Sequence, residues 1–391
     1  MDIGMFKRSI RFKMLGGILI LELLMVAVYG GILYFSARND RILTSRRAVE
    51  RSQGVYNLVL QGDAKMLAAA MDSFATNESV RQAFADHGDR AKLLNLVQET
   101  YRSNKARYGI THLYFIDRDG TCYLRAHDPG NFGDVIQRET FQQARAAGRT
   151  ISGIELGKTA FALRVVTPYI HNGNVAGYLE FGEEIDHFDQ LVKRETGVDV
   201  MVLVNKQYLD EGQYRKAQKA AGRADAWDEL KGFTMVSSTF DKSRTASALV
   251  SEQDLHATKA PGYLGTLGSE GRTFAKGAFP LKDAAGKQVG VVVTLNDITD
   301  QVANERSALL WLLGLTAVVF IGSFIAAVAY LRVEVIGPLT QLTMQAGEIS
   351  MGNVELKLES DREDEIGLLI HAFERMRVSL KKSMAMLTKM A

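Results

Sequence analysis

The chain has 391 residues with 47 Lys and Arg against 45 Asp and Glu, a net charge of +2, so bulk charge recruits no nucleic acid. A single cysteine, Cys122, excludes an intramolecular disulfide and any cysteine-rich metal or iron–sulfur site built by one chain. Five prolines and no low-complexity tract point to folded modules, and the length allows two or three.

Residues 1–13 carry Lys7, Arg8, Arg11 and Lys13, the basic flank expected of a cytoplasmic N-terminus. Residues 14–37 follow, 24 residues whose one charge is Glu22. At about 1.5 Å per residue they can cross a hydrocarbon core of about 30 Å. The run is about twice a signal peptide's apolar region and no small-residue cleavage pattern closes it, so it reads as a retained membrane anchor. Glu22 is costly there: it either packs in a dimer, protonated or paired, or is tolerated in a very apolar helix.

From residue 38 to about 75 the pattern predicts a stalk helix, with Val55, Leu58, Val59, Met66, Ala70 and Phe74 at helical spacing. A second helix is expected from Asp89, its N-cap, to Arg107, with Leu93, Leu94, Val97 and Tyr101 as its apolar stripe. Strands follow at 111–117 and 121–127 around the turn Arg118-Asp119-Gly120, and at 161–170 and 175–182 around His171-Asn172-Gly173-Asn174. A second group is expected at 199–204, 273–281 and 288–295. Gly262, Gly265, Gly268 and Gly271, spaced by three, fit neither a phosphate loop nor a dinucleotide fingerprint and read as plain loop. Residues 307–331 are 25 residues without a charge, with Trp311 and Tyr330 near the ends, and form the second span. Two spans place both termini on one side.

The runs Leu124 to Asp134, Gly153 to Gly157, Arg164 to Pro168 and Gly177 to Gly182 resemble the double Cache sensory domains of bacterial receptors, and Pro280 to Asp283 with Leu295 to Thr299 resembles their membrane-proximal half. The resemblance implies an α+β fold: two PAS-like antiparallel-sheet modules, at 38–197 with the stalk and at 198–306, and a small-molecule pocket in the membrane-distal one. Beyond the second span, Pro338, Leu339, Leu342, Ala346 and Ile349 make a short amphipathic helix, and Gly352 to Leu358 a connector. Asp364-Glu365-Ile366-Gly367 opens a second helix with Leu369, Phe373, Met376 and Leu380. Stripes stepping by three and four bury themselves only against each other and a second chain, so a dimeric parallel four-helix bundle is expected. The segment 332–386 resembles a HAMP relay, with Glu374 where that family commonly has Asn; residues 387–391 are a tail. Its expected signalling residues are Pro338, Leu342, Ile349, Gly352, Glu365, Gly367, Phe373 and Met376.

Tyr123, Arg125 and His127 share one face of their strand by alternation, with Arg164 and Glu180 on neighbouring strands. Arginine's rigid fork suits a carboxylate, so these five residues form a candidate pocket for an anionic small molecule. The alternative is an internal network in which Arg125 or Arg164 pairs with Glu155, Glu180 or Asp117 and holds the sheet. His187 beside Glu183, Glu184 and Asp186 reads as a solvated turn rather than a metal site, and His371 as a solvated helix position. No nucleophile elbow, metalloprotease helix or kinase loop appears, so no catalytic residue, metal or cofactor is expected. These expectations describe a homodimeric receptor of the bacterial inner membrane with a periplasmic sensor and a cytoplasmic C-terminus. Eleven residues follow Leu380, without an output domain, so either a receptor truncated before its output or a subunit acting in trans on a kinase or chemotaxis component is expected.

Overall fold

A computed structural model describes residues 10–156, 161–220, 222–240 and 245–390. Lys7, Arg8, Gly157 and Ala391 lie outside the described residues, as does the side chain of Asp186. The chain forms two compact units, Asn39–Val302 and the two terminal segments Met1–Arg38 and Ala303–Ala391.

Helix α1 (Ile10–Ala75) runs without a break, as its apolar spacing requires. Its sensor portion buries Ala70 and Phe74 of the expected stripe together with Tyr56, Leu67 and Met71, and Val55, Val59 and Met66 pack against the same core, whereas Leu58 is exposed. Helices α2 (Glu78–Ala85) and α3 (Arg90–Tyr108) follow, each capped by an acidic or amide side chain. Asp89 accepts from the Ala91 amide at 2.8 Å, the expected N-cap.

The first sheet contains β1 (His112–Asp117), β2 (Cys122–Arg125), β3 (Ile151–Leu156), β4 (Phe161–His171) and β5 (Asn174–Glu184), with α4 (Glu139–Ala147) between β2 and β3. Its order is β2-β1-β5-β4-β3, and every pair is antiparallel. β4 and β5 turn through Asn172 and Gly173, both at positive φ, the two-residue geometry that matches strand twist. Helix α5 (Asp186–Thr196) leads to a second sheet of β6 (Asp199–Asn205), β7 (Phe233–Ser238), β8 (Gly262–Ser269), β9 (Arg272–Lys282) and β10 (Gln288–Asp297). Between β6 and β8 lie α6 (Glu211–Ala220), α7 (Ala246–Leu249) and α8 (Glu252–Ala257). The second order, β7-β6-β10-β9-β8, repeats the path of the first.

The glycine-rich stretch is a correction. Gly262 to Ser269 is edge strand β8, hydrogen-bonded to β9 from Gly262↔Ala278 to Ser269↔Arg272, with a bulge between Tyr263 and Gly265. Sheet pairing runs through the backbone, so a strand with few side chains leaves little trace in an apolar pattern.

One apolar cluster joins α1 to both sheets. Tyr56 packs edge-to-face against Phe188 of α5 at 5.7 Å and Phe279 of β9 at 5.8 Å. The loop after β9 also meets the first sheet: the Ala284 amide donates to Ile154 at 2.9 Å, and Gln143 Nε2 donates to the Ala284 carbonyl at 3.1 Å.

In the other unit, α1 and α9 (Thr299–Tyr330) are both long and apolar enough to cross a membrane, with mean hydropathies of 2.2 and 2.4 over their most apolar stretches. Ser323 Oγ of α9 donates to Glu22, which gives that acid a partner within its own chain. A π-helical segment, Leu331–Ile336, connects α9 to α10 (Gly337–Ser350), and a connector leads to α11 (Glu365–Met390).

Candidate ligand-binding site and relay

Tyr114 on β1 is the centre of a charged cluster. The guanidinium carbons of Arg125, Arg138 and Arg164 lie 5.1, 4.8 and 5.6 Å from its ring centroid. At such distances a cation is drawn to the face of the ring. Arg164 comes from β4 opposite Gly182 of β5, and a Cβ at 182 would collide with its Nη1, so the glycine lets the arginine lie flat on the sheet. Glu180, fully buried, accepts from Arg138 Nη1 at 2.6 Å and Arg164 Nη1 at 3.1 Å. Arg138 Nη2 also donates to the Tyr114 hydroxyl at 3.2 Å.

Arg125 is turned toward the rim, where it donates to the Asn131 carbonyl at 2.6 Å and Asp134 at 2.7 Å. His127 lies just beyond β2; its Nδ1 accepts from the Leu113 amide at 3.3 Å, and its ring packs 4.9 Å from that of Tyr114. Burial lowers its pKa to about 4, with Arg164 and Arg125 adding to the effect. Burial, with Arg164 second, lowers the neighbouring His112 to about 2. Both imidazoles are therefore neutral near pH 7, and the positive charge belongs to the arginines. Arg164 Nε, Glu180 Oε2 and Thr140 Oγ1 are buried without a hydrogen-bond partner. Buried polar atoms of this kind call for a ligand or water.

Tyr123 does not join this group. The β1–β2 register passes from Phe115↔Leu124 to Ile116↔Cys122, which leaves Tyr123 as the extra residue of a bulge. One inserted residue transfers a side chain to the opposite face. Tyr123 therefore packs against Phe84 and His87 at 5.6 and 5.1 Å, and its hydroxyl donates to Gly88 at 2.8 Å. The internal network expected as the alternative is present in part. Glu180 pairs with Arg164, whereas Asp117 meets His87 at 2.7 Å and Glu155 accepts from the Thr140 amide at 2.6 Å. Arg138, just before α4, carries no periodic signal in the sequence that would single it out.

In the relay, Leu342 and Ile349 are buried with Leu358, and Val354, Ile370 and Phe373 pack against them. Pro338 stands in the first turn of α10. Gly352 leaves that helix at φ 103°, and Gly367 is buried against the Arg362 carbonyl, where a Cβ would collide. Glu365 is exposed in the first turn of α11. Met376 is also exposed on the single chain, as is Leu369 of the same stripe. Glu374 holds the connector: its Oε2 accepts from the Leu358 amide at 3.0 Å, and Arg377 grips its two oxygens at 2.8 and 2.7 Å. Arg377 also donates to the Val354 carbonyl, so the pair fastens the connector at two points.

A family model described as the double sensory domain of two-component sensor kinases matches residues 44–302, and a HAMP domain model matches residues 332–382. The chain belongs to the double Cache sensor family. This double Cache sensor is a transmembrane signal-transduction receptor in which the sensory region takes an extracytoplasmic input and HAMP relays it. No curated protein matches it. Among solved structures, the periplasmic domain of Vibrio cholerae LuxQ is similar at 13% identity and a TM-score of 0.38, over 65% of this chain and 99% of that one. The V. cholerae histidine kinase DctB sensor domain is similar at 12% identity and a TM-score of 0.31, over 63% and 98%.

Proposed function

We propose that the receptor is a homodimer of the bacterial inner membrane whose periplasmic, membrane-distal module, residues 38–197, binds a small anionic molecule. Arg125, Arg138, Arg164 and His127 around Tyr114 receive it, with Glu180 fixing the arginines. The observation that carries this reading is the convergence of three guanidiniums on one aromatic ring around a single fully buried acid. Arg138 retains 22% side-chain exposure, so it supplies the accessible end of the cluster. A carboxylate entering there pairs with guanidinium donors in the fork geometry that arginine favours.

The membrane-proximal module, 198–306, and the second span, 307–331, pass the change to the cytoplasmic relay at 332–386. The ligand must favour one arrangement over another, since equal affinity for both shifts nothing. Leu369, Met376 and Leu380 remain exposed along one stripe of α11, which supports a second copy as their cover. Pro338, Leu342, Ile349, Gly352, Glu365, Gly367, Phe373 and Met376 carry the change. The relay delivers the change to a cytoplasmic output of the kinase or chemotaxis kind.

The test is a thermal-shift screen of the full chain in lipid nanodiscs against small carboxylates and phosphate. Each hit is repeated by calorimetry on Arg138→Gln. The reading expects binding to weaken at least about tenfold, the scale of one charged hydrogen bond. An unchanged isotherm would remove the arginine cluster from the site.

A further inference from the structure

Away from the arginine cluster, three chemically suited side chains meet where α1, β5 and α5 come together. Asp63 of α1, Glu183 near the end of β5 and His187 in the first turn of α5 each place one ligand atom within 4.8 Å of the others. His187 Nε2 lies 2.8 Å from Asp63 Oδ2 and 3.6 Å from Glu183 Oε1. Of the acids beside His187 in the sequence, which read as a solvated turn, Glu183 joins the group and Glu184 is exposed; the other acid is Asp63, 124 residues away.

A second observation points to a ligand. Glu183 is only 5% exposed, its carboxylate faces His187, and its Oε2 has no hydrogen-bond partner. Among the described residues no Lys or Arg pairs with Glu183 or Asp63. Two carboxylates, one of them nearly dry, therefore share one imidazole, and a buried carboxylate without full pairing is costly.

We propose that Asp63, Glu183 and His187 form a site for a divalent first-row transition ion of the zinc type. An imidazole with two carboxylates suits such an ion better than Ca²⁺ or Mg²⁺, which prefer all-oxygen shells. Donor atoms around a tetrahedral zinc stand about 3.3 Å apart, so the 2.8 Å pair has to open slightly and the 3.6 Å pair to close slightly, with loss of the proton between His187 and Asp63. His187 is 41% exposed, which leaves a side open for entry and for a water as fourth ligand. The ion would clamp the stalk helix to the junction between the two sheets.

The test uses the full chain without a polyhistidine tag, in nanodiscs, titrated with Zn²⁺ after chelation. Elemental analysis and calorimetry should find one ion per chain, and Zn²⁺ should raise the unfolding temperature of the sensor region. In Asp63→Asn with His187→Gln, both partly exposed positions, affinity should fall about 100-fold while circular dichroism and chelator-treated unfolding stay as in the wild type. Glu183→Gln should lose the zinc-dependent shift in the same way. Failure of the wild type to bind Zn²⁺, or equal binding by the double variant, would overturn the site.

Discussion

Arg362 Nη2 donates to the backbone carbonyl of Glu334 at 3.0 Å, the carbonyl that Pro338, four residues on, has no N–H to reach. Proline removes the helical donor and its ring presses on that same carbonyl. The helix widens into its π segment, with the Gly337 amide reaching back to Arg332, and Arg362 from the connector fills the vacancy while its Nε and the same Nη2 also donate to Asp364, the latter at 2.6 Å. Membrane helix and connector are thereby tied at one point.

Arg362→Ala should therefore loosen the connector, seen as faster amide exchange across residues 351–364. Pro338→Ala in the same background restores an amide that can bond Glu334 but does not re-tie the connector, so exchange across 351–364 should stay fast. Equal exchange in wild type and Arg362→Ala would show that the tie carries no weight.

Within the sensor, Arg164 and Arg138 share Glu180 but are not equivalent. Arg164 is buried on the sheet, so Arg164→Ala leaves Glu180 dependent on one partner and should cost about 3 kcal/mol of stability. Arg138→Gln, at the open end, keeps an amide that can donate to Glu180 and should cost less than Arg164→Ala while weakening anion binding. Removing both members of the buried pair, as Arg164→Met with Glu180→Leu, should return stability close to wild type but abolish binding. Denaturant unfolding of the full chain distinguishes these cases; an Arg164→Ala midpoint equal to the wild type would mean that the buried pair contributes nothing.

The two spans, the Asp89 cap and the Asn172-Gly173 hairpin were legible because each rests on local chemistry: hydropathy, a capping oxygen and positive φ. Arg164 and Glu180 meet beside Tyr114 because strand alternation holds on β4 and β5, and Arg125 approaches the same ring from the end of β2. Alternation failed at Tyr123, where one bulged residue reverses the face, and at β8, whose backbone pairing needs few side chains. Arg138 and Asp63 come from segments far from their partners in sequence, and only the fold brings them to Glu180 and His187.

The relay should respond to acid in a defined way. Hydrogen bonds from Arg377, then from the Leu358 amide, hold the Glu374 carboxyl down at about 2, below its ordinary 4.5. A depressed acid contributes its full stabilisation above the ordinary value and loses it as pH falls through the folded one. The Leu358 amide resonance should therefore titrate with a midpoint near 2, and Glu374→Gln should flatten the curve. A midpoint near 4.5 would mean that the bond to Leu358 is absent.

Tyr56 sits between the two modules with its ring against Phe188 and Phe279 and its hydroxyl buried without a partner. The ring and the hydroxyl should thus act in opposite directions. Tyr56→Ala opens a cavity at the seam of α1, α5 and β9 and should cost about 3 to 5 kcal/mol. Tyr56→Phe keeps the ring and removes an unpaired polar atom, so it should leave stability unchanged or raise it by about 1 kcal/mol. Because the ring touches both halves, Tyr56→Ala should also lower cooperativity, so that probes in the first and second sheets report separate unfolding midpoints. Coincident midpoints in that variant would mean that the halves remain coupled without Tyr56, through the Ala284 loop on Ile154.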